Sequence, residues 1–274
     1  MLKRCLLAAL ASVAVMSAGT EAGTIGYWRF EKGEGGFLAD RGPKGLALTN
    51  ENDVRQAALE SDSPFAPGLS FPNPVPQTGE RNLKAALLEG NNCLSHEPHQ
   101  AFNKVKTFTV EAYINANVSE QTQAIIGQYG AGKLRFPERR WMVALEDGKK
   151  LRVNVSHDGS RGKKSDRAIV SEPMVEPNED YFVAVVIEVN DEGTTAHFYA
   201  QKLGDGGEMN KDTGSDEVIT ELHDSKAALT IGAIGTQPKG ERKAYFSGLI
   251  DEVRLSKGKL TPSQFLNASP ENEK

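Results

Sequence analysis

Alternation between apolar and polar residues constrains the fold of this chain more than any other feature. In TFTVEAYINA, residues 107–116, the apolar residues at positions 108, 110, 112 and 114 share one face of an extended segment. The residues at 109, 111 and 113 share the other face, and a period of two is that of a β-strand with one buried side. The same alternation recurs at 151–155, and helical periodicity is scarce elsewhere. The chain is therefore predicted to be all-β.

Other short segments of strand character are separated by turns rich in glycine, aspartate and asparagine. Asp147-Gly148 lies between the runs 141–145 and 151–155, which predicts a hairpin. Residues 181–189 are apolar on both faces apart from Glu188, as expected for a strand covered on both sides. Many short strands punctuated in this way indicate an antiparallel sandwich or barrel. The remaining predicted strands are 24–30, 45–49, 85–88, 124–129, 167–171, 194–201, 217–222, 228–234 and 245–255.

The last predicted strand changes its apolar parity partway along. Phe246 and Ile250 occupy even positions, whereas Val253 and Leu255 occupy odd positions. A strand whose inward side chains change face needs a bulge or a bend, which we predict near positions 251 and 252.

One short helix is predicted, close to the C-terminus. Thr261 is a candidate N-cap, Pro262 takes the first helical position and Gln264 completes a capping box. The stretches 50–82 and 203–216 are predicted to be loops because of their Pro, Asn, Ser, Gly and acidic content.

The first residues have the pattern of a secretory signal peptide. Lys3 and Arg4 precede an apolar run at 5–16, and small residues follow as far as Ala22. That run is too short to span a membrane, and no second run of about 20 apolar residues follows it. We therefore expect a signal peptide at 1–22, a single domain at 23–267 and a polar tail at 268–274. The protein is expected to be secreted or periplasmic.

Charge and cysteine content narrow the choice of partners. The formal net charge is −5, which argues against binding of nucleic acid. Of the two cysteines, Cys5 lies in the expected signal peptide and only Cys93 lies outside it. No intramolecular disulfide is expected, and Cys93 is predicted to be a buried thiol.

Three segments resemble the laminin G-like jelly-roll domains of the concanavalin A-like superfamily. The stretch YFSGLIDEVRLSKGKLTPSQF, residues 245–265, resembles the family's last strand and its Gly-x-Ile-Asp-Glu-Val-Arg pattern. GYWRFEKGEGGFLADRGPKGLALT, residues 26–49, resembles its opening, and TFTVEAYINA resembles its Phe-Thr-x-Glu-Ala-Trp strand. The resemblance spans nearly all of the chain after residue 22. It implies a two-sheet antiparallel jelly-roll sandwich.

The resemblance also implies a structural calcium ion, which in many relatives ties the first strands to the last one. Carried over residue by residue, its ligands would be Glu31, Asp40 and Asp251, with main-chain carbonyls near Gly42. Calcium prefers oxygen ligands and tolerates irregular geometry, so acids far apart in the sequence can serve. Water or a nearby arginine is the alternative partner of Asp251.

The sequence carries no recognisable catalytic motif. The Glu-x-Asp-x-x-Glu arrangement of glucan-cleaving relatives is missing, and so is a Gly-x-Ser-x-Gly nucleophile elbow. Glu111 and Glu146 are single acids on predicted strands. His96 and His99 stand three residues apart with a proline between them, which opposes a helical zinc motif.

What the resemblance implies about function is binding of carbohydrate on the concave sheet, through aromatic rings and hydrogen-bonding side chains. The candidate ligand-binding residues are Trp141, Tyr129, Arg140, Asn154 and Tyr113, although a core position is an equal alternative for Trp141. We expect an exported non-catalytic module that binds carbohydrate or another extracellular surface ligand. A polysaccharide hydrolase or lyase without a recognisable motif, and a protein-binding adhesion domain, remain as alternatives.

Overall fold

A computed structural model describes residues 23–33, 35–59, 69–130, 138–204, 206–235 and 242–269 of the chain. Their regular structure is almost entirely antiparallel β, which confirms the predicted all-β sandwich. The strands are β1 (Thr24–Trp28), β2 (Thr49–Glu51), β3 (Arg55–Ala58), β4 (Lys84–Glu89), β5 (Cys93–His96), β6 (Thr107–Ala116), β7 (Gln123–Tyr129), β8 (Arg139–Glu146), β9 (Lys150–Ser156), β10 (Asp166–Pro173), β11 (Asp180–Asn190), β12 (Gly193–Lys202), β13 (Asn210–Asp216), β14 (Leu229–Ile231), β15 (Ile234–Gly235), β16 (Arg242–Lys243) and β17 (Ser247–Lys257). The helices are α1 (Gln100–Asn103) and the 3-10 turn Pro262–Gln264.

Residues 1–22, the expected signal peptide, and residues 270–274 of the expected polar tail lie outside the described residues. In the part of the chain that the structure describes, no helix has the length and apolar character needed to cross a membrane.

Two sheets form the sandwich. The eight-stranded sheet has the order β13-β12-β11-β6-β17-β4-β3, with β1 paired to β17, and the seven-stranded sheet has the order β10-β9-β8-β7-β14-β5-β2. Val110 from the first sheet and Val153 from the second pack in one apolar core together with Trp28. Because this core contains side chains from both sheets, it lies between them. Cys93 is buried at 1 % exposure, as predicted.

A second apolar layer covers the outer face of the eight-stranded sheet. Tyr113 of β6 and Phe182 of β11 pack there against Phe71 and against Phe265 and Leu266, which follow the 3-10 turn. The C-terminal segment therefore closes this face, and its central side chains are buried.

The first and last strands are neighbours, as the resemblance implies. In the antiparallel pairing of β1 with β17, Trp28 lies opposite Val253. The register of β17 against β6 shifts between Asp251 and Arg254, and Glu252 has a φ of 49°, a value that non-glycine residues rarely adopt. The predicted bulge is confirmed.

Two strand predictions are wrong. Residues 45–49 are irregular up to Thr49, yet Leu46 and Leu48 still reach the core, at 2 % and 6 % exposure. Residues 217–222 are not a strand, and the neighbouring strand is β13, inside the predicted loop 203–216. Main-chain pairing with β12 holds this edge strand. Its sequence is polar throughout, so it lacks the apolar–polar alternation from which a strand could be predicted.

The loop and helix predictions are partly wrong. The predicted loop 50–82 contains β3, all of which pairs with β4, while residues 60–68 lie outside the described residues. The predicted C-terminal helix is only the 3-10 turn. The Thr261 N–H donates to Oε1 of Gln264 at 3.0 Å, as the capping box predicts, but Phe265 is extended and ends the turn.

Candidate functional site

The strands β8 and β9 present two different faces. Their odd-numbered residues, from Trp141 to Leu145 and from Leu151 to Val155, join the inter-sheet core. Successive side chains of a strand point to opposite sides, so the even-numbered residues project from the outer face. Met142 packs there with Tyr129 of β7. Polar side chains from four neighbouring strands meet on this outer face.

Asp166, the first residue of β10, is the centre of these polar contacts. The Tyr129 hydroxyl donates to its Oδ2 at 2.6 Å, and Nδ2 of Asn154 donates to its Oδ1 at 3.4 Å. Nε of Arg139 lies 3.7 Å from Oδ2, and the Arg139 guanidinium lies 5.6 Å from the centre of the Tyr129 ring. One carboxylate thus fixes a phenol, an amide and an arginine.

The contacts continue along β9 to the next acid. Nε of Arg152 donates to Oδ1 of Asn154 at 2.6 Å, and the same guanidinium forms an ion pair with Glu146. The side chains of Asp166, Arg152 and Glu146 are 13 %, 25 % and 27 % exposed. We call the set the Asp166 network; its members are Tyr129, Arg139, Glu146, Arg152, Asn154 and Asp166.

Burial, followed by the charge of Asp166, raises the pKa of Tyr129, so its phenol remains a hydrogen-bond donor at neutral pH. Both carboxylates of the network face an arginine. Tyr129, Arg139 and Asn154 are only 5–6 % exposed, so the donors and acceptors that the network offers to the hydroxyl groups of a ligand are mainly those of Asp166, Arg152 and Glu146.

The structure brings together only two of the five predicted ligand-binding residues, Tyr129 and Asn154. Trp141 is 0 % exposed, and its ring centre lies 4.9 Å from that of Phe108 in the inter-sheet core. Its position is therefore the core alternative, because it shares the face of Val143 and Leu145. In this structure it cannot contact a surface ligand.

Tyr113 and Arg140 are also buried, for different reasons. Tyr113 lies under the C-terminal segment, and its hydroxyl donates to Oδ1 of Asn267 at 3.1 Å. Arg140 is the extra residue of a bulge between β7 and β8 and is 1 % exposed. Its Nη2 donates to the carbonyls of Asn103 and Val105 at 2.7 and 2.9 Å. Burial lowers the pKa of Arg140 to about 10.

Sequence reasoning did not select Asp166, Arg152 and Glu146 as ligand-binding residues. A signal existed for Arg152, because it stands two residues before Asn154 and shares its face. No such signal existed for Asp166, because its position in the network is set by the pairing of β9 with β10 across a turn of nine residues.

A second polar cluster surrounds the bulge of β17. Glu252 accepts hydrogen bonds from the Tyr27 hydroxyl and from Nε of Arg29, the latter at 3.0 Å. Glu111 accepts from Nε of Arg254 at 2.6 Å and from the Leu266 N–H at 2.7 Å. Burial raises the pKa of both carboxyl groups, and the arginine beside each opposes that rise.

Asp251 differs from its neighbours because its charge has no partner. It is 0 % exposed, and neither carboxylate oxygen forms a hydrogen bond within the described residues. Burial, followed by the charge of Glu252, raises its pKa well above the ordinary value, and Glu31 adds to the repulsion. Asn82, 1 % exposed, lies close enough to lower that pKa, yet its amide atoms reach no hydrogen-bonding geometry either.

Asp40 does not belong to this cluster. Its Oδ1 accepts from the N–H groups of Tyr27 and Gly42, and its Oδ2 accepts from Leu46, each at 2.7 Å. Three main-chain donors therefore occupy the carboxylate, which clamps the turn after β1.

The three acids predicted as calcium ligands are thus not assembled as one set. Across the described ranges, no three His, Cys, Asp or Glu side chains converge as a metal-binding group. Asp251, Glu31 and Asn82 nevertheless offer oxygen donors around a buried carboxylate that lacks a partner. Oxygen donors of this kind fit calcium better than a softer metal.

Several solved structures are similar to this fold. The receptor-binding domain of botulinum neurotoxin mosaic serotype C/D is 12 % identical, with a TM-score of 0.56, and the match covers 90 % of this chain and 50 % of that chain. The Ruminococcus gnavus IT-sialidase CBM40 bound to α2,3-sialyllactose is 11 % identical, with a TM-score of 0.43 and coverage of 59 % and 81 %. Domain 4 of AbnA, a GH43 extracellular arabinanase from Geobacillus stearothermophilus, in complex with arabinotriose, is 15 % identical, with a TM-score of 0.43 and coverage of 89 % and 97 %.

At these identities the likeness concerns the fold, and the chain spans half the length of the neurotoxin structure. A search among curated proteins found no match. A family model of laminin G-like domains, described as the concanavalin A-like lectin/glucanases superfamily, matches residues 88–264. This range is more than half of the chain and contains the strands from β5 to β17. The chain therefore belongs to the concanavalin A-like lectin/glucanase superfamily.

Proposed function

We propose that this protein is an exported, non-catalytic module that binds carbohydrate through the Asp166 network. The observation that carries the proposal is the convergence of Tyr129, Asn154 and Arg139 on Asp166, on the outer face of the seven-stranded sheet. Membership of a superfamily of lectins and glucanases supports a sugar as the ligand.

The chemistry of the network suits hydroxyl groups. A sugar hydroxyl both donates and accepts, so it binds well where carboxylate oxygens and arginine N–H groups alternate. Arg152 and Glu146 are about a quarter exposed and are paired with each other, so they can exchange that pairing for contacts with a ligand. Tyr129 and Arg139 are held in place by Asp166, which limits the entropy lost on binding.

The test is a glycan array probed with the full chain, followed by a reducing-sugar assay on every glycan that binds. Tyr129→Phe removes the phenol that donates to Asp166, and Arg152→Ala removes the most exposed arginine of the network. Arg55→Ala is the matched control, because Arg55 also pairs with a glutamate, Glu89, but lies on the other sheet. We expect Arg152→Ala to weaken binding about tenfold or more, the loss of one charge-assisted hydrogen bond.

The outcomes separate the alternatives. Binding without release of product, lost in the network variants and kept in Arg55→Ala, is the expected result. Release of reducing ends would instead identify a hydrolase or lyase. Absence of glycan binding would overturn the carbohydrate assignment and leave a protein-binding adhesion domain.

A structural calcium ion is part of the same proposal, held by Asp251, Glu31 and Asn82. Its support is the buried Asp251 carboxylate, whose oxygens make no hydrogen bond to any described residue. A bound Ca²⁺ would supply the charge that Asp251 lacks, and it would tie the segment after β1 to β17. Thermal unfolding with Ca²⁺, with Mg²⁺ and with a chelator tests this. We expect a higher melting temperature with Ca²⁺ only, and no calcium response in Asp251→Asn.

Export is proposed from the pattern of residues 1–22 alone. N-terminal sequencing of the protein recovered from the culture medium or the periplasm tests it. We expect a new N-terminus near Gly23, and an intact N-terminus on a protein retained in the cytoplasm would contradict the proposal.

A further inference from the structure

A cleft of about 770 Å³ opens beside β1, and none of the residues that line it belongs to the Asp166 network. Its volume is that of a typical small-molecule site. Its walls are the turn after β1, with Arg41 and Gly42, and the segment before β4, with Gln77, Thr78 and Arg81. The side chains that line it are mainly polar or charged, and Glu31, the proposed calcium ligand, is one of them.

The two cationic walls are held in fixed positions. The Asp40 carboxylate clamps the turn that carries Arg41, and the Arg41 N–H donates to the Tyr27 carbonyl at 2.7 Å. On the other wall, Nη2 of Arg29 donates to the Arg81 carbonyl at 2.8 Å. Glu31 accepts from the N–H groups of Leu83 and Lys84, which fixes the same segment to the end of β1.

The Arg41 side chain extends along the chain near Gly33. A Cβ added at Gly33 would lie 2.1 Å from Nη2 of Arg41, so a larger residue at this position would displace the end of the flexible arginine side chain. The guanidinium therefore lies against the main chain of Gly33.

The charges of the cleft are unequally satisfied. Arg29 is paired with Glu252 and Glu80, and Arg254 is paired with Glu111. By contrast, the side chains of Lys32, Arg41 and Arg81 make no hydrogen bond or ion pair within the described part of the chain. The acids that line the cleft are Glu31, which is bound by two main-chain N–H groups, and Glu80, which faces Arg29. Among the described residues that line the cleft, the charged side chains left without a partner are therefore cationic.

We infer that this cleft binds an acidic saccharide, with its carboxylate or sulfate groups held by Arg41 and Arg81. An arginine guanidinium matches an oxyanion with two parallel hydrogen bonds. The hydroxyl and amide groups of Thr78 and Gln77 stand beside the cations to receive sugar hydroxyls. The inference concerns a second site and does not depend on the Asp166 network.

Isothermal titration in the presence of a chelator tests the inference, because chelation removes any calcium-mediated contact. The probes are trigalacturonate, a sulfated galactan trisaccharide, a neutral galactose trisaccharide and sodium sulfate. Arg41→Gln and Arg81→Gln remove the two guanidinium groups, and neither is expected to unfold the protein because neither side chain has a partner among the described residues. Arg55→Gln on β3 is the charge-matched control.

We expect at least one acidic trisaccharide to bind, with an affinity that falls as salt is added. Arg41→Gln and Arg81→Gln should each weaken it about tenfold or more, while Arg55→Gln leaves it unchanged. Equal binding by the parent and the Arg41 and Arg81 variants would overturn the inference, as would the absence of binding by both acidic probes. Sodium sulfate binding as tightly as the trisaccharides would overturn the saccharide assignment.

Discussion

The buried ion pair between Arg254 and Glu111 joins the last strand to β6 and should dominate the stability of this corner. The two side chains are 4 % and 0 % exposed, and Nε of Arg254 lies 2.6 Å from the carboxylate. Replacing Arg254 with methionine leaves Glu111 buried with one remaining donor, the Leu266 N–H. Removing one partner of a buried pair costs about 3–5 kcal/mol. For a chain of this size that loss lowers the melting temperature by roughly 6–20 °C.

The stability lost in Arg254→Met should increase with pH. Burial already raises the pKa of Glu111, and Arg254 opposes the rise, so its removal raises that pKa further. A carboxyl group whose folded pKa is raised binds its proton more tightly when folded, and stability then increases as pH falls toward the ordinary pKa of about 4.3. The deficit of Arg254→Met should therefore be larger at pH 7 than at pH 5. Adding Glu111→Gln to the variant should recover much of the lost stability, because position 111 then carries no unpaired buried charge.

Urea unfolding at pH 7 and pH 5 measures both effects. Arg55→Met is the control, because its ion pair with Glu89 is 52 % and 45 % exposed and should contribute no more than about 1 kcal/mol. If Arg254→Met loses no more stability than Arg55→Met, or loses the same amount at both pH values, the argument from the buried carboxylate is wrong.

Three further perturbations test other parts of the structure. In the presence of a chelator, Asp251→Asn should be more stable than the parent at pH 7. The reason is that the raised pKa of Asp251 makes the stability of the parent fall with rising pH, by up to about 1.4 kcal/mol per pH unit. Urea unfolding from pH 5 to 8 measures this, and a variant less stable than the parent would contradict it. Trp141→Ala should lower the free energy of unfolding by about 3–5 kcal/mol and leave the glycan affinity of the folded fraction unchanged. A loss of affinity without a loss of stability would show instead that Trp141 contacts the glycan. Burial, followed by the charge of Glu51, raises the pKa of Cys93 to about 12, so a thiol reagent at pH 8 should react only after unfolding in urea, and rapid labelling of the native protein would disagree with this burial.

The fold was largely predictable because alternation and parity are local properties. The period-two pattern located most of the long strands, and the change of parity between Ile250 and Val253 located the bulge of β17. The same reasoning applied to β8 places Trp141 with Val143 and Leu145 on the inward face. The aromatic ring of Trp141 made it a candidate for sugar binding, whereas its odd-numbered position on β8 predicted a place in the core.

The other errors arise from contacts that no local pattern carries. Tyr113 lies on the polar face of β6, and it is buried there by Phe71 and by the C-terminal segment, which return over that face from distant parts of the chain. Arg140 is turned inward by a bulge and bound by carbonyls from two distant segments, near residues 103–105 and 222–223. Asn82 precedes β4 in a stretch without periodicity, so its place beside Asp251 depends on tertiary packing alone.

The central claim, that carbohydrate binds at the Asp166 network, is tested most directly by amide hydrogen exchange with and without a glycan that binds on the array. We expect slower exchange on addition of the glycan in peptides from β7 to β10, between residues 123 and 173, and about tenfold more glycan should be needed for the same protection in Arg152→Ala. Protection confined to other strands, or no protection at a saturating glycan concentration, would contradict it.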